Sequence, residues 1–577
     1  MAYDVLLIHP PAFPDFRKKV FFPGPLSRTV TYYTTPQFTQ IPLGMLSIAD
    51  YLDRNGYKVL VDNVGERMVY DPVFDLERHI RKASAEIFAI DLHWVVHARG
   101  AIELARICKK FHPNALIIIG GLTATIFHEE IIRKFNFVDI VIRGEAEDAF
   151  LELLKVYENR KKISETPNLT FRNKDKVVIT PLRRTSSNLD SFEFTRLDLL
   201  EPKRSAFIPG TNSHWGLPIC RGCIFNCVTC GGSAYSYRTY LGIENPIFRS
   251  PEKIVEDMQR LTEQGIQWIG LYQDIRMGGN QYWRKLLTLL RECRIDIERL
   301  SIDLLWPAEE DYIRSLSNIG GLVTLQISPE SGSYTVRKAH GRNYTNEDII
   351  KTVELCHKYE IPITVYFMVG LAKETRESFE ETCDLWEKLC QLDKNAVFSG
   401  KFKDIKRRAV MRGPIVGHMI LLDPGSLAFD FPERYGYRLI FRNLEDYIKG
   451  LSAVSWYQWI SYETESLDKY MLADLILDSI EHATYQREKY GVYDKRFTIF
   501  ELFQVKAHRV MIREVDRIMS LQEKSEIISR LRSLRDALIG TLEVVNEDTS
   551  SADMYDYRKM MQNILRETIY EHALRSL

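Results

Sequence analysis

Residues 219–233 read "ICRGCIFNCVTCGGS". Cys220 and Cys223 form a C-x2-C pair, and Cys223, Cys227 and Cys230 form C-x3-C-x2-C. A structural zinc site needs a second pair of cysteines or histidines at a distance, and outside this loop the chain has no C-x2-C. Three cysteines at this spacing can instead ligate three irons of a [4Fe–4S] cube, leaving the fourth iron open to a small molecule; an electron-transfer ferredoxin closes that position with a fourth cysteine. Cys220 is extra to the pattern and reads as a strand-end thiol or as such a fourth ligand. The other five cysteines, Cys108, Cys293, Cys356, Cys383 and Cys390, are scattered through helical patterns and read as small apolar side chains.

The elements that must position this cluster follow from the pattern around it. The 577 residues are too many for one core. Residues 1–155 alternate short apolar runs ("VLLIHPP", "KVLVDN", "IFAIDL", "ALIIIGGL", "VDIVIRG") with helical periods. Such runs are buried parallel strands, so this part is α/β, a doubly wound Rossmann-like domain. Ligands on these sheets sit at the carboxyl ends of the strands. Gly120 and Gly121 fall there, as a tight turn or as a close approach to a ligand. Residues 156–210 are polar and loop-rich and read as a linker, with "NLTFRNKDKVVITP" as a hairpin. Residues 211–426 offer six strands, "HWGLPIC", "IQWIGLYQD", "ERLSIDL", "LVTLQISPES", "PITVYFMVG" and "HMILLDPGS", alternating with helices: a (βα)6 partial barrel, whose chemistry belongs at the strand C-terminal ends. The cysteine cluster follows the first of them. Residues 394–417 are locally basic and form a solvated loop or a lid. Residues 427–577 read as mostly helical.

The remaining bulk properties narrow the function. Apolar residues make up 45% and charged residues 27%, with a net charge of −1. Nothing pulls the chain toward nucleic acid or anionic lipid, and no run reaches the ~20 apolar residues of a spanning helix. The short apolar run of "MAYDVLLIHPP" lacks the basic flank of a signal peptide. A cytoplasmic enzyme is expected, without a membrane or nucleic-acid partner.

With these residues in view, the sequence resembles the radical SAM superfamily, whose signature is the C-x3-C-x2-C loop after the first barrel strand. The resemblance implies that Cys223, Cys227 and Cys230 hold the cluster and that the open iron binds S-adenosylmethionine (SAM). It further implies that backbone N–H groups of Gly231 and Gly232 meet the ligand, that Asp274 in "YQD" contacts the methionine amine, and that Glu330 in "QISPESGS" accepts from the ribose. "GLAKET" (370–375) stands in the place of a G-x-P-x-E-T turn, with Ala372 and Lys373 where the family carries Pro-Gly.

The phrases "QIPLGMLSIADYL", "IIIGGLTAT" and "VDIVIRGEAE" look like the cobalamin-binding class of this superfamily, with Gly120 and Gly121 beside the nucleotide tail. Many B12 domains carry D-x-H-x-x-G, whose histidine ligates cobalt from below. Here "DNVGERM" places Val64 at that position, and the expectation is a base-off, His-off cobalamin. His93 and His97 approach the corrin or serve in packing. The resemblance implies a class B methyltransferase that methylates an unactivated sp3 carbon through a 5′-deoxyadenosyl radical and methylcobalamin, drawing electrons from a flavodoxin or ferredoxin. Substrates in the class include protein side chains, lipids and antibiotics, and a glutamine of methyl-coenzyme M reductase is one candidate. The alternative is a cobalamin-dependent cyclase or oxidase that does not methylate.

Overall fold

Each of the five N-terminal apolar runs forms a strand. In the computed structural model, which describes residues 2–12, 15, 41–71, 73–158, 163–184, 188–203, 214–396, 420–491 and 495–534, they are β1 (Tyr3–His9), β2 (Val59–Asn63), β3 (Ala85–Asp91), β4 (Leu116–Gly120) and β5 (Ile140–Ile142). Val5, Leu6, Leu7 and Ile8 are buried in succession. Both faces of β1 are therefore covered, as a central parallel strand requires, and each such side chain contributes about 1.5–3 kcal/mol of burial.

The stretch expected as a linker is part of this sheet. β6 (Leu169–Asn173) and β7 (Lys176–Ile179) form the expected hairpin and add to β5 antiparallel; β8 (Leu200–Glu201) pairs with β2 at the other edge. The strand order is β7-β6-β5-β4-β3-β1-β2-β8. Polar, turn-rich segments look like linkers in sequence, but here they cap edge strands that would otherwise leave backbone groups unpaired. The order reverses at β1, which lies between β3 and β2. A crevice for ligand opens at such a point, outside the strand carboxyl ends.

The second sheet is parallel throughout, in the order β15-β14-β13-β12-β9: β9 (His214–Pro218), β12 (Trp268–Tyr272), β13 (Arg299–Leu304), β14 (Leu322–Glu330) and β15 (Ile363–Phe367). Between β9 and β12 a small ribbon, β10 (Cys220–Arg221) with β11 (Ile247–Phe248), carries the start of the cysteine loop. The sixth expected strand is not formed over 420–426, which run as a turn into the helix Leu427–Asp430. The 394–417 loop lies almost wholly outside the described residues, as does the loop at 546–553.

The C-terminal region is mostly helical (Leu444–Gly450, Lys469–Lys489, Lys495–Met519) but includes a hairpin, β16 (Tyr437–Leu439) with β17 (Tyr462–Thr464). This region straddles the two sheets. Glu130, on the first sheet's helix His128–Lys134, caps Leu444–Gly450 by accepting from Leu444 N–H at 2.9 Å, while Tyr462 Oη donates to the barrel carbonyl of Gly370 at 2.8 Å. No helix among the described residues is long and apolar enough to cross a membrane.

Candidate active site

The cysteine loop is held by its own turns and by two neighbours. Gly222 has φ +109°, and a Cβ there would lie 2.8 Å from Pro246 Cα, so only glycine serves in C-R-G-C. Cys230 N–H donates to Cys227 O at 3.2 Å and Ser233 N–H to Cys230 O at 3.3 Å; Ser233 then caps the helix Ala234–Leu241. Val228 is tied to His340 O and to Ala428 N–H. Cys223 and Cys227 are half-buried and Cys230 is exposed. Phe225 N–H points at Cys223 Sγ (3.4 Å) and Gly232 N–H at Cys230 Sγ (3.3 Å), contacts that favour thiolate sulfur. Cys220 differs. It is buried, and its thiol donates to Gln273 Oε1 (3.4 Å) or Gly222 O (3.6 Å). Among the described residues no three donors are gathered as a single ion requires; a cube spreads its thiolates over three irons.

Glu330 fits the SAM role. It ends β14 at a register shift, with φ +72°, an unusual conformation for a non-glycine residue and one found at functional sites. Arg342 holds one carboxylate oxygen; the other, Oε2, is buried without a partner, an acceptor waiting for a hydroxyl. Arg342 was not singled out in the sequence. Burial works against its charge, but Glu330 and Cys227 outweigh burial and raise its pKa, so it remains a cation between carboxylate and cluster loop.

Three expectations need correction. Asp274 is fully buried and turned away: Arg276 takes both of its oxygens and Leu305 N–H adds a bond to Oδ2. Its neighbours Tyr272 and Gln273 line the cavity instead. The N–H groups of Gly231 and Gly232 are also spent, on Asp423 Oδ2 (3.1 Å) and on Cys230 Sγ. What Gly232 leaves to a ligand is a bare α-carbon, above which the nearest atom is that sulfur at 3.7 Å. Asp423, in "DPGS", borders this cleft; burial pushes its carboxyl up to about 6 against the Gly231 hydrogen bond. Finally, Val64 opens the helix Val64–Tyr70 directly after β2, is fully buried in the core and does not line the cavity.

That cavity, about 480 Å³, lies at the β1/β3 switch point and reaches the barrel mouth, a size typical of small-molecule sites. Its floor includes Leu7, Asp91, His93, Gly120 and Gly121, and Pro42–Met45 and Gly144–Glu147 add further wall; from the barrel come Cys220, Arg221 and Gly231. Gly120 has room over its α-carbon, the nearest atom being Ile142 O at 3.6 Å. Gly121 has none: φ is +111° and a Cβ would fall 2.6 Å from His93 N. Thr123 Oγ1 also donates to His93 O at 2.8 Å, so the loops after β3 and β4 interlock. These features fit a nucleotide tail passing over Gly120. Burial pushes His93 below its ordinary value although Asp91 opposes this, which leaves a neutral imidazole at the cavity wall. His97 is buried beyond the cavity, its ring 4.8 Å from that of His9. Of His93, His97 and Val64, only His93 lines this cavity.

The "GLAKET" departure has a structural reason. Ala372 N–H donates to Tyr437 Oη at 3.1 Å, a bond that proline could not make. Lys373 keeps the left-handed backbone, φ +66°, that the family's glycine would adopt freely. Lys373→Gly is expected to stabilise the protein by about 0.5–1 kcal/mol, seen as a small rise in the melting temperature. A fall would show that the lysine side chain contributes more than its backbone costs.

Residues 30–154 match the B12 binding domain and residues 217–385 the radical SAM superfamily. The chain is 24% identical over 399 residues to an uncharacterised methyltransferase of Pyrococcus horikoshii, covering 67% of this chain and 78% of that protein. It is 23% identical to the anaerobic magnesium-protoporphyrin IX monomethyl ester cyclase of Cereibacter sphaeroides, covering 60% of this chain and 55% of the cyclase. Its fold matches that of the cobalamin-dependent SAM radical enzyme OxsB at a TM-score of 0.57 and 13% identity, over 99% of this chain and 84% of OxsB. The chain thus joins a B12 binding domain to a radical SAM domain.

Proposed function

We propose that the chain is a class B radical SAM methyltransferase acting on an unactivated carbon. The observation that carries this reading is one cavity lined on one side by strand ends of the first sheet and on the other by Cys220, Arg221 and Gly231 of the cysteine loop. A substrate placed there reaches SAM and cobalt together. The relationship to a protein named as a methyltransferase supports the same reading. When bound, the cofactors supply hydrogen abstraction and a transferable methyl group.

The chain's own residues hold and shield. Cys223, Cys227 and Cys230 anchor the cluster. Glu330, fixed by Arg342, receives the ribose. Gly120 admits the nucleotide tail beside the tight turn that Gly121 makes, and the apolar wall formed by Leu7, Ile41 and Ile118 excludes water from the reacting centre. Electrons come from outside, from a flavodoxin or ferredoxin.

The relationship to a cyclase favours a second reading, in which no methyl is transferred. A half-reaction separates the two without a known substrate. Reconstituted protein carrying reduced cobalamin, mixed with SAM labelled in its methyl group, is expected to release one S-adenosylhomocysteine per cobalamin and to retain the label. Release of 5′-deoxyadenosine with no S-adenosylhomocysteine would favour the cyclase reading. Once a substrate is in hand, deuterium at its reacting carbon is expected in 5′-deoxyadenosine.

A further inference from the structure

The cluster loop carries one cation between Cys220 and Cys223, and the loop after β5 carries two carboxylates, in "GEAE". The fold brings them together. Arg221 Nη1 donates to Glu145 Oε1 at 2.7 Å and Arg221 Nη2 to Glu147 Oε1 at 2.7 Å, with a longer second contact to Glu147 Oε2. The Glu145 and Glu147 side chains are 1% and 3% exposed. Ser47 Oγ adds a bond to Glu147 at 2.8 Å from the helix Gly44–Arg54, and the guanidinium lies over the Phe192 ring. Burial disfavours ionised Glu147, but Arg221 and Ser47 outweigh it and hold the carboxyl below its ordinary value.

Two buried carboxylates side by side repel, and a shared guanidinium fork relieves both at once. An ammonium offers a point charge without that geometry. All three residues line the cavity. The link from Glu130 to Leu444 runs to the C-terminal region, and Lys253 Nζ reaches Glu193 at 2.6 Å from a barrel helix, whereas this link is made by the cluster loop itself, two residues before Cys223.

Resting on the methyltransferase reading, we propose that Arg221, clamped by Glu145 and Glu147, is a positioning residue that sets the separation of the cluster from the cobalamin cavity. A substrate shared by two cofactors tolerates little error, since a displacement of about 1 Å can cost about 100-fold in rate. Loosening the clamp should leave SAM cleavage running while methyl transfer fails.

The test uses Arg221→Met, Arg221→Lys and Glu145→Gln in the full chain. Hydrogen exchange of the apoprotein over 140–150 and 214–223 is expected to quicken at least tenfold in Arg221→Met and less in Arg221→Lys. In reconstituted enzyme the ratio of 5′-deoxyadenosine to S-adenosylhomocysteine should rise at least fivefold in Arg221→Met and be partly restored in Arg221→Lys, at unchanged iron and cobalt content. If Arg221→Met does not fold, Glu145→Gln and Arg221→Lys carry the test, with smaller changes in the same direction. Wild-type exchange and ratio in the folded variants overturn the proposal. Loss of iron with unchanged exchange also overturns it, assigning Arg221 to cluster assembly. If the wild type itself releases no S-adenosylhomocysteine, the methyltransferase reading fails while the exchange measurement still decides the clamp.

Discussion

Alanine at Cys223, Cys227 or Cys230 is expected to take anaerobically reconstituted protein from about four irons per chain to near none, and to reduce 5′-deoxyadenosine formation below detection. Each thiolate binds a different iron of the cube, so two cannot do the work of three. Backbone N–H groups already aim at Cys223 and Cys230 sulfur, and Cys227 stands beside the Arg342 cation. Cys220→Ala is the contrasting case. Its buried thiol is engaged with Gln273 and Gly222, so the variant should keep full iron content and lose about 1 kcal/mol of stability from the missing contacts. Iron loss in Cys220→Ala comparable to that in the other three would replace the three-cysteine assignment with a four-cysteine one.

The parts of this molecule legible in sequence are those that repeat or that chemistry spaces tightly. Five buried strands declared themselves as apolar runs, and the cluster did so as C-x3-C-x2-C. What stayed hidden depends on pairing across the chain. β8 is two residues long and became a strand only because β2 had a free edge. Asp274 had the right type at the right strand end, but Arg276, two residues on, turns it inward. Val64 was placed by counting from a motif, and packing put it in the core. Asp423 acquires its role from Gly231, 192 residues away, and Arg342 from Glu330, 12 residues away across the turn that follows β14. Arg221 was visible as a lone cation among cysteines, but its meaning needed the two glutamates 74 and 76 residues earlier.

Gly120→Leu is expected to remove cobalamin from the protein while leaving the fold and the cluster in place. Gly120 ends β4 with ordinary backbone geometry, and a Cβ there meets nothing closer than Ile142 O at 3.6 Å, so the chain can accept a side chain. The isobutyl group must then occupy the cavity of about 480 Å³ that the nucleotide tail is proposed to share. A loss of at least about 100-fold in cobalamin affinity, or about 2.8 kcal/mol, is expected in equilibrium binding, with the melting temperature of the apoprotein close to wild type. Gly121→Ala provides the comparison. At φ +111°, with its Cβ 2.6 Å from His93 N, it strains the backbone and should lower the melting temperature whether or not cobalamin is present. In Gly120→Leu, 5′-deoxyadenosine should still form from SAM, because the cluster loop is untouched, while S-adenosylhomocysteine falls with the lost cobalamin. Wild-type cobalamin affinity in this variant would move the tail away from the end of β4 and require another wall of the cavity to bind it.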